Sequence, residues 1–114
     1  MVVFTLQLVT PREKRREVVQ TLRSMIGPTQ AEHGCLGCHL QQDADDPNLL
    51  TFNEEWQEQS DLDRHMASED YRKLLAVMDM AGAPPQVMVL KPFDESGLER
   101  IAAARKTKLR PDQH

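Results

Sequence analysis

Residues Val2–Val9 read Val-Val-Phe-Thr-Leu-Gln-Leu-Val, a β-rich run with apolar side chains on both parities. Phe4, Leu6 and Leu8 fall on one side, and Val3, Thr5, Gln7 and Val9 on the other. A strand of this composition is covered on two faces. Gln86–Phe93 repeats the pattern through Val87, Met88, Val89 and Leu90, so a second strand makes the same demand. A chain of 114 residues is one domain, because two separate cores would be starved at this size. Its helices then cover one face of a sheet, and the apolar residues on the other face call for a partner surface. Two sheets packed face to face in a homodimer satisfy that demand.

The segments between these strands supply the rest. Thr10-Pro11-Arg12-Glu13 has the form of a capping box with proline at the first helical position. The helix it opens carries Val18, Val19, Leu22, Met25 and Ile26 at helical spacing and is expected to stop at Gly27-Pro28. Cys35–Gln42 and Leu49–Trp56 are two strand-like runs around Asp43–Asn48, almost all turn formers, and read as a hairpin. A second helical region opens at Ser60-Asp61-Leu62-Asp63 and restarts at Ser68, with Tyr71, Leu74, Leu75 and Met78 in a stripe. Gly82 and Pro84-Pro85 end it. The order βαββαβ predicts an α+β, ferredoxin-like fold: a four-stranded antiparallel sheet with both helices on one face. The domain is expected over residues 1–94. Residues 95–114 follow as a break at Asp94–Gly97, a short helix at Leu98–Lys106 and a flexible tail.

Composition narrows the function. Fourteen basic against eighteen acidic residues give a net charge of −4, which argues against nucleic acid, since phosphate neutralisation needs a basic face. With one Trp, one Tyr and three Phe there is no base-stacking platform either. The basic groups Arg12–Arg16 and Arg105–Arg110 read as solvated surface. No apolar run approaches the roughly 20 residues that cross a bilayer, and the opening Met-Val-Val-Phe-Thr-Leu is unlike a signal peptide. A cytoplasmic location, with Cys35 and Cys38 as thiols, is the expectation.

Glu32-His33-Gly34-Cys35-Leu36, the Asp45-Asp46-Pro47 turn, Glu54-Glu55-Trp56, His65 and Ser68–Tyr71 form a spaced series over residues 2–93. This series resembles the antibiotic biosynthesis monooxygenase family, through E-x-G-C-L, D-D-P, E-x-W and H-x-x-S before an aromatic. The resemblance implies a dimeric α+β barrel of ferredoxin-like subunits, each with a pocket between sheet and helices. It also implies oxygenation of quinols or polycyclic phenols without a cofactor. The chain departs from the family's haem-degrading branch, whose asparagine, tryptophan and haem-ligating histidine correspond to Thr5, His65 and Leu75. Leucine cannot ligate iron.

Cys35-Leu36-Gly37-Cys38-His39 matches the c-type haem pattern C-x-x-C-H. On a regular strand, however, positions i and i+3 point to opposite faces, and the same objection meets a zinc site with His33. Cys38 then reads as a core residue beside Leu36 and Leu40. No metal and no cofactor is expected.

His65 is the candidate base, since an imidazole near its neutral range can take a phenolic proton; packing at a helix break is its other reading. Glu54 shares a strand parity with Leu50, Phe52 and Trp56, and a carboxylate on that apolar face must be paired or used. An arginine is its expected partner. Trp56 would form a flat wall for an aromatic substrate, or close the barrel end. Thr5, His39 and Tyr71 complete the candidate substrate contacts. The expected partners are a second copy, a small aromatic substrate and dioxygen. The competing readings are a non-catalytic metabolite-binding dimer or an isomerase of the same fold.

Overall fold

A computed structural model describes residues 1–92 and 97–108. The strands are β1 (Val2–Val9), β2 (Cys35–Gln42), β3 (Leu49–Trp56) and β4 (Gln86–Leu90), and the helices are α1 (Arg15–Gln30), α2 (Gln59–Met66), α3 (Tyr71–Asp79) and α4 (Gly97–Lys108). All neighbouring strands are antiparallel, in the order β2-β3-β1-β4. The chain thus has the predicted α+β, ferredoxin-like topology, with its second helical region broken into α2 and α3.

The even residues of β1 and β3 face the helices. Phe4, Leu6, Leu50, Phe52 and Trp56 are sealed there against Val18, Leu22 and Met25 of α1, Leu62 of α2, and Leu74 and Val77 of α3. The α3 stripe therefore runs Tyr71, Leu74, Val77, and Leu75 points outward. Along the hairpin, Asp43 Oδ2 accepts the backbone N–H groups of Asp45 and Asp46 at 3.0 and 2.9 Å. Asp46 Oδ1 accepts that of Asn48 at 2.9 Å, so the acidic tip is a run of side-chain-closed turns.

The structure corrects the sequence reading at three joints. Thr10 is not a helix cap: its N–H bonds the Asn48 carbonyl at 2.8 Å and its hydroxyl lies 3.4 Å from the same oxygen. It prolongs the β1–β3 ladder, and a 3₁₀ turn at Arg12–Lys14 leads into α1. Second, α1 continues through Gly27-Pro28 to Gln30. The proline forfeits one bond to the Ser24 carbonyl, on an exposed side of the helix where water can replace it. Third, β2 has a bulge. Cys35 pairs with Trp56, Gly37 with Glu55 and Cys38 with Glu54, so one extra residue reverses the parity between Cys35 and Gly37. Cys35 and Cys38 consequently share the helix-facing side, and Leu36, expected beside Cys38, is exposed.

Strand β4 ends at Leu90, short of the predicted Phe93, which lies outside the described residues, as do the rest of the break before Gly97 and the tail beyond Lys108. All five residues of β4 are exposed, Val87 at 48% and Leu90 at 54%. The cause is positional: β4 is an edge strand paired only with β1, while α1 packs on β2 and α3, and α2 on β3. Among the described residues no helix is long and apolar enough to cross a membrane.

Candidate active site

The loop between α1 and β2 is pinned to the start of α2. Asp61 accepts the Glu58 backbone N–H at 3.1 Å through Oδ2 and an Arg64 N–H at 2.8 Å through Oδ1. Arg64 also donates to the His33 carbonyl at 2.9 Å, and the Gln57 N–H to the Gly34 carbonyl at 2.7 Å. Gly34 takes φ +84°, and a Cβ there would overlap the Asp61 carboxylate. Glycine is required on both counts. The Glu32–Cys35 turn, closed by the Cys35 N–H on the Glu32 carbonyl at 3.1 Å, thereby brings Glu32 against the last turn of α2.

His65 occupies that turn, 1% exposed. Its Nδ1 lies 2.6 Å from Glu32 Oε2 and its Nε2 3.2 Å from Glu54 Oε2. Glu54, fully buried on β3, also accepts the Trp56 indole N–H on Oε1 at 3.1 Å. The expected arginine partner is therefore replaced by an imidazole and an indole. The Trp56 ring tilts against His65 at a centroid distance of 4.8 Å, and Tyr71 meets it edge-on at 5.6 Å.

A neutral imidazole has one N–H and would turn a lone pair toward one of the two carboxylates; the imidazolium donates to both. Burial alone pushes the His65 pKa down, but the hydrogen bonds and charges of Glu54 and Glu32 outweigh it and the net shift is upward. Burial and then the Glu54 charge push the Tyr71 phenol up to about 12. The same two causes, largest first, push the Cys38 thiol up to about 12, so it stays protonated at neutral pH.

Of the residues singled out in the sequence, His65, Glu54, Trp56 and Tyr71 converge here. Thr5 and His39 lie on the opposite sheet face. There the Thr5 hydroxyl donates to Asn53 Oδ1 at 2.9 Å and Asn53 Nδ2 to Gln41 Oε1 at 3.1 Å, with His39 opposite Asn53 in register. The sequence reading missed Glu32 as a site residue. Its signal lay in the E-x-G-C-L motif, whose glycine sets the loop that aims it. Beside Glu32 and His65 is a cavity of about 20 Å³, edged by Thr29, Asp70 and Lys73, room for about one water. His65, Glu54 and Trp56 pack against one another in the sealed core.

A ferredoxin-like sheet whose helix-covered core holds an imidazole between two carboxylates and two aromatic rings defines the class. The sequence model of the antibiotic biosynthesis monooxygenase family matches residues 1–77, and the chain belongs to that family. Similar solved structures include one from Mycobacterium tuberculosis, 30% identical, covering 84% of this chain and 98% of that one at a TM-score of 0.77. A structure of an antibiotic biosynthesis monooxygenase is 25% identical over 82% of this chain and 100% of that one, with a TM-score of 0.75. One from Pseudomonas aeruginosa shares the fold at 22% identity, 82% and 94% coverage and a TM-score of 0.72. No curated protein matches the chain.

Proposed function

We propose that this chain is a monooxygenase that oxidises a quinol or similar electron-rich phenol with dioxygen. The observation that carries the reading is His65, buried and held between Glu32 and Glu54. A proton-transfer group at that place takes the phenolic proton into the Glu32–His65 pair, and the resulting phenolate is the stronger reductant. One oxygen atom enters the ring and the other leaves as water. The quinol supplies all four electrons, so the scheme calls for no cofactor. The role of His65 shifts accordingly: as an imidazolium it cannot accept a further proton, so Glu32 is the first acceptor and His65 holds it in place.

The substrate would enter by parting α3 from α1 at the small cavity, with Trp56 and Tyr71 as walls. Thr5 and His39 would belong to the second sheet face, which we place against a second copy in a barrel. The protein would work in a reducing compartment such as the cytoplasm, with both thiols free. The water-sized cavity favours one other reading: a non-catalytic metabolite-binding dimer in which the cluster only stiffens the core. Oxygen uptake with menadiol as probe decides between them. The folded protein should consume oxygen above the autoxidation rate, and Glu32→Gln should lower that rate by about 10²–10⁴-fold, as for loss of a proton-transfer group. Uptake no faster than buffer alone would end the oxygenase reading.

A further inference from the structure

His65 has almost no contact with solvent, yet its partner on Nδ1 does. The Glu32 side chain is 33% exposed against 1% for His65 and 0% for Glu54. The groups facing His65 come from every element around it. Glu32 comes from the loop after α1, and Glu54 and Trp56 from β3. Tyr71 comes from α3, and Asp70 and Lys73 edge the same cavity from beside and within α3. On the β2 side the Cys38 thiol is buried near Glu54 and stays protonated. Nε2 ends on Glu54, whose other oxygen is closed by Trp56, so among the described residues a proton that goes that way is given no further acceptor. Nδ1 faces the way out: its partner Glu32 is partly exposed and, with His65, lines the one-water cavity that Asp70 and Lys73 also edge.

We infer that Glu32 is the proton shuttle of this cluster, the one carboxylate through which His65 and Glu54 exchange protons with water. The carboxylate is suited to it by geometry, being bonded to the imidazole through one oxygen at 2.6 Å while the side chain still reaches the surface. A positioning carboxylate needs the first property alone; a shuttle needs both. The inference rests on the reading of the Glu32–His65 pair as the site's proton-transfer unit, but its test does not require turnover.

The test follows the ring N–H protons of His65 by NMR in the ¹⁵N-labelled full chain, measuring their exchange with water in wild type, Glu32→Gln and Glu32→Asp. Gln keeps the hydrogen-bond acceptor and cannot carry a proton, so exchange should slow about a hundredfold, the low end for a lost proton-transfer group. Asp, still ionisable, should restore much of the rate. The Trp56 indole N–H, donating to Glu54, is the internal control. If Glu32→Gln merely loosened the core, both the Trp56 and His65 protons would exchange faster. Exchange of His65 at the wild-type rate in Glu32→Gln, or acceleration together with Trp56, overturns the shuttle. Slowed His65 exchange in a protein that consumes no menadiol keeps the shuttle and removes the oxygenase.

Discussion

Replacing His65 with phenylalanine keeps a ring of similar size between Trp56 and Tyr71 but leaves Glu54 without its cation. The two carboxylates respond differently to that loss. Glu32, one-third exposed, can turn to water; Glu54, with no exposed surface, cannot, and retains only the Trp56 N–H. Removing one member of a buried ion pair costs about 3–5 kcal/mol, a large share of the about 5–15 kcal/mol that holds a domain together. At about 4–8 °C per kcal/mol for a domain near this size, the melting temperature should fall by at least about 12 °C. Urea unfolding at neutral pH, monitored by circular dichroism, measures the loss. The double variant His65→Phe/Glu54→Gln isolates its cause: Gln neutralises the stranded charge and still accepts the Trp56 N–H. It should therefore be more stable than His65→Phe by about 1–3 kcal/mol, the desolvation cost of an unpaired polar group. A single variant that loses less than about 1 kcal/mol, the usual worth of an exposed pair, would show that Glu54 reaches water, and the sealed cluster would be refuted.

The same cluster, its supporting loop and the outer sheet face give three other expected outcomes. The folded pKa of His65 is raised above its ordinary 6.5, so its contribution is complete below about pH 6.5 and is lost as pH rises through the folded value, at about 1.4 kcal/mol per unit of raising. The urea midpoint of wild type should fall relative to His65→Gln across that rise, and parallel curves would contradict it. Gly34→Ala should cost at least about 1–3 kcal/mol for the left-handed backbone alone, and more because Asp61 must yield; a neutral effect on the melting temperature would count against the pinned loop. Light scattering should report twice 13.0 kDa, with Met88→Asp on the outer sheet face shifting the species to monomer, and a wild-type monomer would remove the barrel.

The fold was legible because the signals that set it are local. The alternation Leu50, Phe52, Glu54, Trp56 needs no more than a two-residue period to put all four on one face, and the structure keeps them there. The helix boundaries were read less well, since Thr10 and Pro28 carry end signals that tertiary contacts override: Thr10 is drawn into the ladder, and Pro28 sits where water can complete the helix. Parity on β2 failed because the strand bulges between Cys35 and Gly37; Gly37 is the mark such a bulge leaves in the sequence, but the register shift itself is fixed only by pairing with β3. The site was half legible. Glu54 could be flagged as a carboxylate in an apolar row, but its partner is eleven residues away on α2 and Glu32 is thirty-three from His65. Such pairings depend on how the loop at Gly34 docks onto Asp61 and Arg64, which no periodicity encodes.

That docking also explains why the cluster has three members. A domain that needed only to neutralise Glu54 would require one cation, and an apolar pair of similar volume would serve stability as well or better. Glu32 makes no contact with Glu54 that would neutralise it directly: it bonds the far side of the imidazole and remains partly in water. Yet the sequence commits the positive-φ glycine at 34, the Asp61–Arg64 pair and two carbonyl contacts to holding the turn that carries it. Those contacts come from the loop after α1 and the first turns of α2, so they set the distance between Glu32 and His65 without help from β4 or α4. The third member is the one with an outlet to solvent, and this is the feature that a proton-transfer site needs and a purely structural ion pair does not.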